Sequence, residues 1–181
     1  YTKEEDLSGN VTIHVCAKPG EKISGKVNIP AKVAMGDMAY TVTVIDANAF
    51  ADQTELTYVT LPKTIINIGN KAFAGCTALE GMKFKAKIAP EAAEDAWEGA
   101  GTEDFTILTP KNARDYYNIK KISGATVRPE TDAEHEHDMQ KFEAKAPTCT
   151  QPGTIEYYIC RDCDKVYADE DGKECISLTE T

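Results

Sequence analysis

The sequence predicts a mainly β fold with short helices: a solenoid of about three coils with a period of about 23 residues, followed by a small Cys/His β module. Three observations predict it. Ile45-Asp46-Ala47-Asn48-Ala49-Phe50 returns as Ile68-Gly69-Asn70-Lys71-Ala72-Phe73, and Leu56-Thr57-Tyr58-Val59-Thr60-Leu61 returns at the same offset as Leu79-Glu80-Gly81-Met82-Lys83-Phe84. A fixed period of that length belongs to stacked coils, each of which can bury its apolar face only against the next. From one unit to the next the apolar positions are held while the others vary, as a stack of coils requires. After residue 128 the pattern stops, and histidine, cysteine and carboxylates take over.

Taken in order, residues 1–10 are polar and acidic with a Ser8-Gly9-Asn10 turn signal, which predicts a frayed start. Val11, Ile13 and Val15 alternate with Thr12, His14 and Cys16, a strand pattern that Lys18-Pro19-Gly20-Glu21 closes with a turn. Lys26–Pro30 opens a second strand. The β-branched run Tyr40–Ile45 is the strand that enters the first full repeat, and a hairpin ahead of it would cover the apolar end of the stack. In the repeats, Leu56, Val59, Leu61, Leu79, Met82 and Phe84 are expected to point inward, with Phe50 and Phe73 in the turns between strands. Cys76 reads as a small core residue. Pro90 and the acidic residues of Glu91–Trp97 predict one or two helical turns. Ala96-Trp97 follows Ala72-Phe73 by one position more than a full period, so Trp97 takes the place of the repeat phenylalanine in a third, degraded coil. Phe105–Leu108 is its strand, and Lys111–Ile122 a terminal cap.

Ile-x-x-x-Ala-Phe, then Gly75-Cys76-Thr77-x-Leu79, an apolar strand and Leu61-Pro62 together resemble the BspA-like leucine-rich repeat family of bacterial surface proteins. The resemblance runs from about Lys26 to Ile122. It implies a leucine-rich-repeat solenoid in a secreted or surface-anchored protein associated with adhesion, and it implies no catalytic residues.

The bulk properties narrow the classes. The apolar and charged fractions, 41% and 28%, are those of an ordinary globular protein. No apolar run approaches the roughly 20 residues of a spanning helix, and Tyr1–Asp6 is not a signal peptide. The net charge of −10 is uneven: residues 1–128 carry 15 Lys and Arg against 16 Asp and Glu, whereas 129–181 carry 5 against 14. That acidity argues against nucleic acid and anionic lipid surfaces as partners. Lys83, Lys85 and Lys87 form the local basic cluster, and their alternation fits one solvated strand face. With Tyr58 and Thr60, Lys83 and Lys85 face outward along the repeat sheet and would line a binding face. Replacing Tyr58 or Lys83 is therefore expected to leave stability nearly unchanged.

The linker Pro129–Asp138 leads into a second module, giving a repeat domain over 1–128 with an N-terminal strand cap and a Cys-rich module over 129–181. The latter shows His135-x-His137, Thr148-Cys149, Gly153, Tyr157-Tyr158-x-Cys160, Cys160-x-x-Cys163, a Val166-Tyr167 strand and a turn at Asp171-Gly172. That order resembles a small Cys-rich module recurring in the C-terminal regions of surface proteins from gut-type bacteria. About 50 residues hardly supply a stabilising core, so a metal or a disulfide is expected. The two thiolates of the Cys-x-x-Cys knuckle can chelate Zn(II), and the expected closed, structural set is His137, Cys149, Cys160 and Cys163. His135 can substitute for His137, and Cys175 for the imidazole. Disulfides, for which four cysteines allow 3 connectivities, are the rival reading, and free thiols a third. A redox enzyme is disfavoured because Asp162 and Asp164 flank the knuckle.

Other chemistry is missing from the sequence. His135-Glu136-His137 lacks the HExxH spacing, and no nucleophile elbow, phosphate loop or dinucleotide fingerprint occurs. Asp169–Glu174 lacks the ligand series of a calcium loop and reads as a hairpin turn. The function expected is therefore non-enzymatic: a secreted or cell-surface, adhesin-type protein binding a host or bacterial surface protein or glycan through the repeat sheet. Two other readings stand beside it, an accessory module of a larger surface carbohydrate-active enzyme, and a metal-handling or redox protein using the Cys-x-x-Cys.

Overall fold

The repeated apolar residues lie on two largely parallel sheets whose strands stack level on level. The structure, a computed structural model, describes residues 1–5, 11–16, 20–131, 134–135, 137–147, 152–161, 163 and 165–173. These fall into two compact units, Tyr1–Glu130 and Thr131–Thr181.

In the first unit, one sheet runs β1 (Thr2–Glu5), β2 (Val11–Val15), β5 (Met38–Ile45), β7 (Asn67–Ile68) and β9 (Glu91–Ala92), with β4 (Lys32–Met35) paired to β5. The other runs β11 (Thr126–Pro129), β10 (Thr106–Thr109), β8 (Gly81–Phe84), β6 (Glu55–Leu61) and β3 (Ser24–Asn28), and every pair in it is parallel. Parallel neighbours need a crossover between them, and here each crossover is one coil. Val27, Val59, Met82, Ile107 and Val127 are partners in register across that second sheet, so the stack has five levels. Only the steps from Val59 to Met82 and from Met82 to Ile107 keep close to the repeat period. The first step is lengthened by the antiparallel hairpin of β4 and β5, and the last is shortened by α1 (Tyr117–Ser123), which replaces the repeat turn.

On the third side the turns make a hydrogen-bond ladder of their own. Asn48, Phe50 and Asp52 donate N–H to Asn70, Ala72 and Ala74 of the next coil at 2.9, 2.7 and 2.8 Å, and Phe73 and Gly75 donate in turn to Ala96 and Glu98 at 2.8 and 2.9 Å. The backbone turns left-handed at Asp52, Gly75 and Gly99, with φ of 57°, 70° and 66°. At Gly75 a Cβ would also collide with the Asp52 carboxylate one coil away, so glycine is needed there for space as well as for conformation.

The expected inward residues are inward. Leu56, Val59, Leu61, Leu79, Met82 and Phe84 are all buried. Phe50 stacks on Phe73 at 5.2 Å between centroids with the planes 2° apart, and Phe73 on Trp97 at 6.0 Å and 12°. Trp97 thus holds the third place in an aromatic column, and its indole N–H donates to Met82 Sδ at 3.2 Å. Cys76 is fully buried and donates to the Phe50 carbonyl at 2.9 Å, and burial pushes its thiol up to about 11.

Two expectations fail. Glu91–Trp97 is not helical: Glu91 and Ala92 form β9, paired in parallel with β7, and Glu91 and Ala93 donate N–H to Ile66 and Ile68 at 2.9 Å each, so the segment opens extended and continues as turns. The helix falls instead at the last level, ended by Gly124 in the left-handed conformation (φ 66°) with Lys120 and Lys121 suited to its C-terminal dipole. Nor does the chain start frayed: β1 pairs antiparallel with β2, and Thr2–Glu5 forms the sheet edge. The turns expected at Ser8-Gly9-Asn10 and Lys18-Pro19 lie outside the described residues.

The aromatic column makes Phe73→Ala cost about 3–5 kcal/mol in urea unfolding of the repeat unit. A loss under about 1 kcal/mol would show that the ring does not fill the space between coils. At the last level, Tyr116 lies edge-on to Phe84 and donates to the Ala86 carbonyl at 2.7 Å. Burial holds its phenol above the ordinary value, so the folded state prefers the neutral ring. That contribution is intact below about pH 10 and is lost as pH rises toward the raised folded value. The thermal midpoint should fall between about pH 9 and pH 11, and fall less in Tyr116→Phe.

Candidate metal centre and interaction face

In the second unit, β12 (Met139–Phe142), β13 (Tyr157–Cys160) and β14 (Val166–Tyr167) form an antiparallel sheet in which Met139 faces Cys160 and Ile159 faces Val166. Cys160 ends β13, and its N–H donates to the Lys165 carbonyl at 3.0 Å, which closes the knuckle around Cys163 before β14 begins. Arg161 N–H donates to the Asp138 carbonyl at 2.9 Å and ties that knuckle to the segment carrying the histidines. The register therefore brings His137, two residues before Met139, beside the two sulfurs.

Four ligand atoms, one each from His135, His137, Cys160 and Cys163, lie within 4.8 Å of one another. His135 Nε2 is 3.3 Å from Cys160 Sγ, and His137 Nδ1 is 3.8 Å from Cys163 Sγ. The two imidazoles meet edge to face at 4.6 Å, and the Tyr167 ring lies 4.7 Å from His137 with its hydroxyl 3.9 Å from Cys163 Sγ. Gly172, at φ 69°, lets the chain pass so close to His137 that a Cβ would strike the ring. The group could hold a metal ion. Of the expected set, the structure brings together His137, Cys160 and Cys163, with His135 beside them. Cys149 and Cys175 lie outside the described residues.

Cys163 is a free thiol, and burial, reinforced by Cys160, holds it above the usual thiol range. The far end of the sheet is polar and exposed: Lys141 lies 3.0 Å from Glu156 and 3.2 Å from Glu143. The hydrogen bonds to Glu156 and then Glu143 hold the Lys141 ammonium well above its ordinary value, and the bond from Lys141 lowers Glu156.

On the repeat unit, Tyr58 and Thr60 lie on β6, Lys83 lies on β8, and Lys85 follows it; all four are half-buried. Tyr58 packs over its register partner Gly81, where a Cβ would meet the ring, and the Lys26 ammonium stands 6.0 Å from the ring centroid. Lys83 Nζ is 2.9 Å from Glu130 Oε2, the side chains being 16% and 4% exposed. The expectation that Lys83 is thermodynamically silent does not fit that pairing. Glu130 gives no local signal in the sequence, because only the parallel register sets it beside Lys83.

A further polar cluster escaped the sequence reading. His14 Nδ1 lies 2.6 Å from Asp46 Oδ1, and its Nε2 lies 3.1 Å from Thr12 Oγ1 and 3.6 Å from Glu4 Oε2. It joins β1 and β2 to the residue after β5 and thus fastens the strand cap to the first coil. The strand alternation places His14 outward, but only the parallel pairing of β2 with β5 supplies Asp46. Among the described residues no helix is long and apolar enough to cross a membrane.

Parallel strands, a turn ladder and an inter-coil aromatic column define a repeat solenoid of the leucine-rich kind. Residues 37–121 match the BspA type leucine rich repeat region in six copies, and this segment is of that type. The match supports a repeat-based interaction module. Among solved structures, the chain is similar to a leucine-rich repeat protein from Bacteroides capillosus, at 26% identity over 72% of this chain and 94% of that one, with a TM-score of 0.45. It is also similar to a leucine-rich repeat protein from Bacteroides ovatus (23% identity, 71% of this chain, 36% of that one, TM-score 0.39). A leucine rich cell surface protein from Faecalibacterium prausnitzii shows 18% identity over 70% of this chain and 30% of that one, with a TM-score of 0.36. No curated protein matches the sequence.

Lys83→Ala leaves the Glu130 carboxylate buried without its ammonium, and breaking such a pair costs about 3 kcal/mol. Chemical denaturation of Lys83→Ala, Glu130→Gln and the double variant measures this. The double variant should recover most of the loss, and additive losses would show that the two side chains do not act as a pair.

Proposed function

We propose that the chain is a secreted or cell-surface binding protein of adhesin type, in which the repeat sheet of β3, β6, β8, β10 and β11 presents the face that engages a host or bacterial surface protein or glycan. The observation that carries this reading is the BspA-type repeat match over residues 37–121, whose strands β6, β8 and β10 lie side by side in one parallel sheet. Two rows of side chains cross that sheet in register. One is Lys26, Tyr58, Gly81, Thr106 and Thr126, and the other Asn28, Thr60, Lys83, Leu108 and Arg128. A rigid scaffold that holds mixed aromatic, hydroxyl and cationic groups at strand spacing suits recognition of an extended polar surface. Tyr58, Thr60 and Lys85 are the direct contacts in this reading, and Lys83 is both contact and anchor. No catalytic role is part of it.

For the cluster in the second unit we assign Zn(II) as the ion and a structural role. Two sulfurs and two imidazole nitrogens match the soft, borderline donor set that zinc prefers, and all four positions of a tetrahedron are then taken by protein.

Binding of the labelled full chain to intact epithelial and bacterial cells, before and after protease or periodate treatment, tests the interaction role and sorts protein from glycan. Tyr58→Ser combined with Lys85→Glu should reduce cell binding about ten-fold or more, with little change in thermal midpoint. Absence of binding by the intact chain, or binding indifferent to those substitutions, would sink the adhesin reading.

A further inference from the structure

The apolar core described in the second unit is small. Among its described residues only Cys160 and Tyr167 are buried apolar side chains, while every fully enclosed residue of the main hydrophobic core belongs to the first unit. Its sheet consists of strands of four, four and two residues, and so small a sheet without an apolar core is not stable by itself in water. The Phe142–Tyr157 stack at 4.9 Å and the exposed Lys141 ion pairs lie toward the opposite end from the cysteines, and exposed ion pairs contribute little.

We propose, resting on the zinc reading above, that His135, His137, Cys160 and Cys163 are the complete ligand set of a closed zinc site, and that this site makes folding of the second unit conditional on the metal while the repeat stack folds without it. The geometry carries the ligand set. Zinc bonds of about 2.3 Å to sulfur and 2.0–2.1 Å to nitrogen put tetrahedral S···N neighbours about 3.6 Å apart, and two such pairs, His135–Cys160 and His137–Cys163, stand at 3.3 and 3.8 Å. The ligands also come from three places the sheet must join: the segment before β12, the end of β13 and the knuckle before β14. An ion there closes the sheet where apolar side chains do not. Four protein donors leave no position for Cys149, Cys175 or an activated water, so the site binds no substrate and its metal is not exchanged during turnover. Ligand deprotonation and the ordering of all three strands then occur in one step with metal binding.

The test uses the full chain, with metal removed by chelator under reducing conditions and then titrated with Co(II) as a spectroscopic probe and with Zn(II). The intact chain should take up one equivalent, show tetrahedral ligand-field bands with charge transfer from two thiolates, and gain dispersed amide signals for the second unit. Signals of the repeat unit should not change. His135→Ala should weaken Co(II) by at least about 100-fold, whereas Cys149→Ser should bind within about two-fold with the same spectrum. His135→Cys should restore uptake with charge transfer from three thiolates. No metal uptake by the intact chain would overturn the zinc reading itself. Uptake that is lost in Cys149→Ser, or kept in His135→Ala, would overturn the ligand set alone, and a second unit already ordered without metal would overturn the conditional folding.

Discussion

The first unit depends on one constraint: a coil as short as one repeat cannot enclose its own apolar side chains, so each must register on its neighbour to within a single position. The turn ladder enforces this. Left-handed residues at Asn48 and Lys71, and again at Asp52, Gly75 and Gly99, point successive amides along the stack rather than around the coil. Asn, Asp and Gly tolerate that conformation, whereas Lys71 carries a cost of about 1–2 kcal/mol. Its persistence shows how strongly the ladder and the aromatic column beside it select the turn. Once Phe50, Phe73 and Trp97 are stacked, the strands that follow each turn have one register open to them. Val59, Met82 and Ile107 then fall in line without further specification.

From that register comes the chemistry of the outer face. Side chains remote in sequence become neighbours one strand spacing apart, which is how Lys26 reaches the Tyr58 ring and how Tyr58 covers Gly81. The same geometry bridges levels: Glu130 follows β11, forms an ion pair with Lys83 of β8, and is held by its own N–H donating to the Thr109 carbonyl at 2.8 Å. A surface built this way is rigid, because its polar groups are placed by buried strands. It is also tolerant of variation, because the outward positions do not decide the register.

The middle of the stack was legible in the sequence because it is the part where one coil copies another. The Phe50/Phe73/Trp97 series, the inward leucines and the role of Cys76 follow from spacing and alternation. The first and last levels were not legible as repeats, since the β4–β5 hairpin lengthens one and α1 shortens the other, and a periodic search sees only what recurs. Glu91–Trp97 has the local chemistry of a helix start, yet its amides belong to the ladder of the preceding coil, a tertiary demand that no short window of sequence contains. In the second unit, the Cys-x-x-Cys knuckle and the need for a staple were visible from composition. His137 was expected beside it with His135 only as its substitute; that both imidazoles meet the two sulfurs was not visible, because it depends on Met139 facing Cys160 across the sheet.

The two units illustrate different solutions to the entropy of ordering a short chain. In the repeat unit each level adds apolar area to a shared core, so stability grows by neighbour contacts and a damaged level can be carried by those around it. In the second unit four ligand-type side chains meet at one point among three short strands. That asymmetry matches the residues the chain spends in each place. Leucine, isoleucine and phenylalanine fill the stack, where volume matters and chemistry does not. Histidine and cysteine concentrate where three short strands must be fixed with almost no apolar volume. The steep change in composition after residue 128 therefore accompanies a change from area buried between coils to a cluster of imidazoles and sulfurs among short strands.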